Sequence, residues 1–150
     1  MVSKPLGADA YDDVLGRTKP AKGERAAVIP YLESDETLLL RQPAGVVGEV
    51  DGRVLFQGDV IILVSDRKII MAQTSGGFRP SWEVFTLPFG HLEPGVLAGG
   101  AHDTDVLIPT SGRRSYAVQL TDAESAARLA GSLTEALRAY RRDRMGLEDA

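Results

Sequence analysis

The segment that decides the fold is GDVIILVSDRKIIMAQ, residues 58–73. Two apolar runs flank a polar tetrad, SDRK at 65–68. Short apolar runs rich in β-branched residues and bounded by polar turn residues are typical of buried strands. Serine and aspartate side chains can accept hydrogen bonds from nearby backbone N–H groups and hold a tight turn. We therefore interpret the tetrad as a corner between two strands, with its arginine and lysine facing solvent or bracing a neighbouring loop.

Further short apolar runs, separated by turn residues, lie on both sides of this corner. The first is expected to stop at Pro43 and Gly45, and Asp51-Gly52 between apolar runs predicts a hairpin turn. The spacing predicts a small barrel or sandwich of about seven strands. The runs span residues 37–42, 46–50, 53–56, 59–64, 69–73, 83–87, the vicinity of Val96, 104–108 and 115–120.

The C-terminal region carries a helical pattern. Apolar residues recur at three- and four-residue intervals from Ala126 to Tyr140, which predicts an amphipathic helix. Thr121 and Glu124 have the spacing of a capping box. Gly131 costs the helix about 1 kcal/mol relative to alanine, and we expect it to let the helix backbone approach the sheet. The predicted fold class is mainly β, with one C-terminal α-helix that caps the barrel.

The chain is predicted to form one domain with short flanking segments. Residues 1–27 combine a possible helix over 8–15 with a stretch that lacks apolar periodicity, and they are interpreted as a partly flexible N-terminal extension. The domain is expected to span 28–143 and a C-terminal tail 144–150. At 150 residues the chain can bury a sizeable core, roughly 70% of its unfolded surface.

Composition restricts the classes of partner. The net charge of −4 disfavours nucleic acid and anionic membranes, so membrane contact is expected to be peripheral at most. The chain has no cysteine, which excludes disulfides, thiolate catalysis and zinc sites built on sulfur. Neither a signal-peptide core nor a membrane-length apolar segment is present, and a cytoplasmic location is expected.

The order of the predicted elements resembles that of the bacterial pleckstrin-homology (PH-like) and GRAM families, over about residues 30–142. The resemblance implies a PH-like small barrel of about seven strands capped by one helix, and a corner, not an active site, at 65–68. The residues that carry it are Leu32, Glu36 and Gly58, with the segments LVSDRKII at 63–70, WEVFTLP at 82–88 and the last strand and helix at 111–137.

Catalytic motifs are absent from the sequence. It has no G-x-S-x-G elbow, no phosphate loop and no G-x-G-x-x-G turn, so no enzymatic activity and no cofactor are predicted. The densest set of potential metal ligands lies in two glycine-rich stretches, around His91 with Glu93 and around His102 with Asp103 and Asp105. A metal-dependent enzyme that uses His91 and His102 is the remote alternative.

Anion or lipid-headgroup binding is a second hypothesis. Arginine pairs suit bidentate recognition of phosphate or carboxylate. The resemblance implies that lipid-binding members use cations in the loop that corresponds to 43–53, but here that loop carries Glu49 and Asp51, which disfavours a lipid headgroup. The candidate basic patch combines Arg113 and Arg114 with Arg67, Lys68 and Arg79.

The leading hypothesis is a non-enzymatic interaction module that mediates protein–protein contact or self-assembly. Small barrels of this kind present an edge strand, or the groove beside the C-terminal helix, to a peptide or another subunit. Phe78, Pro80 and Trp82 would be anchors if they are exposed, because aromatic residues concentrate interface energy. The alternative is that these residues fold inward and complete the core.

Overall fold

The computed structural model describes residues 8–50, 52–75, 78, 81–92, 101–102, 104–111 and 115–148. The helices are α1 (Ala8–Leu15), α2 (Glu24–Val28) and α3 (Ala123–Glu148), with single 3-10 turns at Ile29–Tyr31 and Phe89–His91. The strands are β1 (Leu38–Glu49), β2 (Val54–Ser65), β3 (Lys68–Thr74), β4 (Trp82–Pro88), β5 (Ala101–His102), β6 (Asp105–Pro109) and β7 (Ser115–Gln119).

The described strands form one antiparallel sheet in the order β4-β3-β2-β1-β7-β6-β5. Six of them have five residues or more, and the two-residue strand β5 extends one edge. The predicted fold class, mainly β with a C-terminal helix, is confirmed. The sheet does not close into a barrel within the described residues, because β4 and β5 are its two edges and do not pair with each other.

Strands β1 and β2 are longer than the sequence predicts. β1 does not stop at Pro43 but continues through it to Glu49. A proline in a strand is tolerated where its missing N–H faces no partner strand. At Pro43 the edge of β1 away from β2 has no partner strand within the described residues, because β1 pairs with β7 only from Val46 to Glu49. β2 likewise continues through Gly58, whose φ of 110° at a ladder irregularity favours glycine.

The first core cluster lies between one face of the sheet and α3. Its fully buried members include Ile62 and Met71 from the centre of the sheet and Leu129 and Leu133 from the helix. Burying each such side chain stabilises the fold by about 1.5–3 kcal/mol. The predicted apolar stripe of the helix therefore packs on the sheet.

The helix itself differs from the prediction at both ends. Asp122 caps its first turn, since Oδ1 accepts a hydrogen bond from the Ser125 backbone N–H at 2.7 Å. This hydrogen bond lowers the pKa of Asp122. The predicted cap, Thr121, lies one residue earlier. α3 also continues to Glu148, through most of the segment predicted as a tail.

A second core cluster covers the opposite face of the sheet. Tyr11, Val28 and Leu32 from the N-terminal region pack there against Leu63 and Ile70. The buried core therefore begins earlier in the chain than the predicted boundary at residue 28. Because β2 and β3 are covered on both faces, their residues form continuous apolar runs instead of an alternating pattern. No helix in the described part of the chain is both long and apolar enough to cross a membrane.

Candidate functional site

The polar tetrad at 65–68 is a tight corner between β2 and β3. Ser65 Oγ accepts hydrogen bonds from the backbone N–H groups of Arg67 and Lys68, both at 3.0 Å. Asp66 Oδ1 accepts one from the backbone N–H of Thr37 at 3.2 Å. The side chains thus hold the turn and brace the loop before β1, as the sequence predicts.

The two cations of the corner face carboxylates. Arg67 pairs with Glu33 and with Asp35, the latter at 2.9 Å, and Lys68 Nζ lies 3.0 Å from Glu36 Oε1. The hydrogen bond to Asp35 raises the pKa of Arg67, and the same contact lowers the pKa of Asp35. Two of the five cations of the candidate anion patch, Arg67 and Lys68, are therefore neutralised by residues 33–36.

Several predicted site residues lie outside the described residues: Arg79, Pro80, Glu93, Asp103, Arg113 and Arg114. The anion patch around Arg113 and Arg114 therefore stays a prediction. His91 is exposed in the 3-10 turn after β4, and His102 lies in β5. Among the described residues, no group of three or more histidine, aspartate or glutamate side chains is arranged to hold a metal ion.

The two described aromatic candidates have different surroundings. Phe78 is 89% exposed, with Lys22 Nζ 5.8 Å from its ring centroid. Trp82 is half-buried against the second core cluster, and its indole N–H donates to the Lys22 carbonyl at 3.0 Å. Gly23, with φ of 84°, permits this contact, because a Cβ there would lie 2.8 Å from the indole nitrogen. Trp82 therefore attaches the N-terminal segment to β4.

A buried polar network, which the sequence does not reveal, joins the N-terminal helices to β1. Arg41 Nε and Nη2 donate to Glu24 Oε2 and Oε1 at 3.0 and 2.7 Å, and the Tyr11 hydroxyl also donates to Glu24. Burial opposes the charge of Glu24, but hydrogen bonds from Arg41 and Tyr11 hold its pKa below the ordinary value. Burial, together with the hydrogen bond to Glu24, raises the pKa of Tyr11. All three groups are satisfied, so we assign the network a structural role.

A groove with a volume of about 800 Å³ lies between α3 and β1. We call it the α3–β1 groove. At one end Arg128 donates to Gln42 Oε1 across it at 3.4 Å. The lining residues are Leu39 and Leu40 of β1 and Arg128, Gly131, Ser132, Glu135, Ala136, Arg138, Ala139 and Arg142 of α3.

The β1 wall of the groove is shaped by an irregularity in the ladder. Leu38 pairs with Ser65 and Leu40 with Val64, so Leu39 is an extra residue. Leu38 belongs to the second core cluster and Leu40 packs against the first, whereas Leu39 remains 47% exposed. The bulge therefore directs an apolar side chain into the groove.

The α3 wall combines small residues and arginines. Gly131 is exposed, and a Cβ placed there would meet nothing within 4 Å. The expectation that Gly131 brings the helix close to the sheet is therefore wrong. Arg138 and Arg142 are exposed and four residues apart, so they lie on one side of the helix. The sequence predicts a groove beside this helix but not its lining; the triple leucine 38–40, which breaks strand alternation, is the signal that marks it.

Comparisons with known proteins identify no family. No family model and no curated protein matches the chain, so membership of the bacterial PH-like or GRAM families is unsupported. A search of solved structures finds a chain in the crystal structure of the complex of PDZ-RhoGEF DH/PH domains with GTP-γ-S activated RhoA, at 12% identity and a TM-score of 0.49. The match covers 91% of this chain but only 37% of that one.

Proposed function

We propose that this chain is a non-enzymatic, PH-like interaction module that binds a segment of a protein partner in the α3–β1 groove. The observation that carries the proposal is an edge of β1 that no strand in the described part of the chain pairs with over Leu38–Gly45, beside the exposed Leu39. A groove lined by apolar side chains and a few charged groups, next to a strand edge to which no described strand pairs, suits a peptide better than a small polar metabolite.

Two features of the groove leave possible stabilisation unrealised in the free protein. Leu39 leaves nearly half of its surface in water, although burying a leucine completely contributes about 1.5–3 kcal/mol. Gly131 costs the helix about 1 kcal/mol relative to alanine, and no neighbouring atom requires the glycine. A bound segment would cover the leucine and use the space above the glycine, which supports the groove as the binding surface.

The test is selection of twelve-residue peptides, displayed on phage, against the whole chain and two variants at one position. Gly131→Trp fills the groove without meeting protein atoms near Cβ. Gly131→Ala is the matched control, because it also replaces the glycine and raises helix propensity but keeps the side chain small. We expect peptides that bind the wild type and Gly131→Ala and that lose at least about 10-fold in affinity for Gly131→Trp. Circular dichroism verifies that both variants fold.

A second pair of variants tests the leucine. Leu39→Ala is expected to weaken the selected peptides, and Leu107→Ala is the control because Leu107 on β6 is equally exposed, at 45% against 47%. If no selected peptide distinguishes Gly131→Trp from Gly131→Ala, or Leu39→Ala from Leu107→Ala, the groove is not the binding surface. The predicted self-assembly is a separate proposal, which light scattering at several concentrations tests: a monomer of 16.1 kDa would refute it.

A further inference from the structure

The edge of β1 that faces away from β2 is only partly paired. β2 pairs with β1 from Leu38 onward, but β7 pairs only with Val46–Glu49. In the described part of the chain, no strand pairs with Leu38–Gly45 on that edge. Unpaired N–H and C=O groups on a strand edge are a template for an added strand. Pro43 offers no N–H, so the stretch that can pair with an added strand is Leu38–Gln42.

The opposite wall of the groove has an excess of positive charge. Arg128 is partly neutralised by Glu124 at 3.3 Å. Arg138 and Arg142 line the groove, are exposed, and form no ion pair within the described residues. Glu135 is the single carboxylate among the lining residues. The complementary ligand therefore carries negative charge.

We propose that the α3–β1 groove takes an acidic, extended peptide segment of a protein partner, which adds as a strand to Leu38–Gln42 and sets its carboxylates against Arg138 and Arg142. This inference rests on the proposed function and specifies the ligand of the same groove.

The spacing of the two arginines specifies the pattern of the ligand. Four residues of helix rise about 6 Å, and two residues of an extended strand span about 6.6 Å. Side chains two positions apart point to the same face of a strand. The expected ligand therefore has carboxylates at alternate positions, with an apolar side chain near Leu39.

The experiment uses the peptides selected on the whole chain, synthesised with a fluorescent label and titrated by anisotropy. Arg138→Ala combined with Arg142→Ala is expected to weaken binding about 2- to 30-fold, the range for two exposed ion pairs, and added salt is expected to reduce this difference. The control is Lys19→Ala combined with Arg53→Ala, which removes the same charge from exposed positions outside the groove lining and leaves affinity within about 2-fold.

Backbone N-methylation of the peptide, one residue at a time, tests strand addition. A methyl group on a peptide N–H that faces β1 should abolish binding, and one on an N–H that faces away from β1 should leave binding unchanged. The loss of affinity is therefore expected at every second residue of the peptide. A loss with a helical period, or an arginine variant no weaker than the control, would overturn this inference. If this inference failed but Gly131→Trp still blocked the peptides, the proposed function would stand. If Gly131→Trp did not block them, both the inference and the proposed function would fail.

Discussion

Replacing Glu24 by glutamine is the sharpest test of how the N-terminal helices are held. The change keeps the shape of the side chain but leaves Arg41, whose side chain is only 8% exposed, without its counter-charge. Two hydrogen bonds of 3.0 and 2.7 Å lose their charged acceptor, and the Tyr11 hydroxyl loses it too. Breaking a buried pair by removing one partner costs about 3–5 kcal/mol, because the remaining charge stays desolvated.

Urea unfolding followed by circular dichroism measures this loss. With an m value of about 2 kcal/mol/M, the midpoint is expected to fall by about 1.5–2.5 M. Asp12→Asn is the matched control, because it makes the same chemical change in the Arg25–Asp12 pair, whose side chains are 43% and 41% exposed. Such exposed pairs contribute about 0–1 kcal/mol.

The pH dependence provides an independent check. Glu24 has a pKa below its ordinary 4.5 in the folded chain, so its contribution is complete above that pH and is lost as the pH falls through the folded pKa. The stability difference between wild type and Glu24→Gln should therefore shrink below about pH 4.5. A loss no larger than that of Asp12→Asn, or a difference independent of pH, would show that Arg41 is hydrated and that the network does not hold the helices.

Three further predictions concern single side chains. Gly131→Ala should raise the free energy of unfolding by about 1 kcal/mol in urea, since its Cβ meets no atom; a decrease would mean that the helix needs the glycine. The pKa of Tyr11 is raised above the ordinary 10.0, so the stabilisation from its neutral hydroxyl is present below that pH and declines above it. When the pH is raised from about 9 to about 11, the free energy of unfolding should therefore fall less for Tyr11→Phe than for the wild type. Equal decreases for the two proteins would contradict the burial of the hydroxyl. Phe78→Ala should change the free energy of unfolding by less than about 0.5 kcal/mol, whereas Trp82→Ala should lower it by about 3 kcal/mol; equal thermal midpoints for the two would contradict the packing of Trp82.

The fold was predictable where local chemistry decides it. The corner at 65–68 depends on side chains that bond to their own backbone neighbours, and the α3 stripe depends on spacing within one helix. The length of β1 was not predictable in this way. Whether Pro43 ends a strand depends on a missing partner on one edge, which is a property of the whole sheet.

The candidate groove was predictable only in outline. An amphipathic helix on a sheet implies a groove beside it, but the groove's lining depends on the bulge at Leu39 and on which side of α3 remains uncovered. The Glu24–Arg41 pair joins residues 17 positions apart and has no local pattern. Aromatic composition alone does not distinguish an exposed side chain from a packed one: Trp82 contacts the chain's own N-terminal segment, whereas Phe78 is exposed.

Trp82 is the single tryptophan of the chain, and its indole hydrogen bond ends on the backbone that precedes α2. The tryptophan fluorescence of the protein therefore comes from the junction between the N-terminal segment and the sheet. Detachment of α1 and α2 would expose the indole to water and move its emission to longer wavelength while the sheet stays folded. The protein thus carries its own optical probe for a partial opening that circular dichroism, which averages over the whole backbone, would record only weakly.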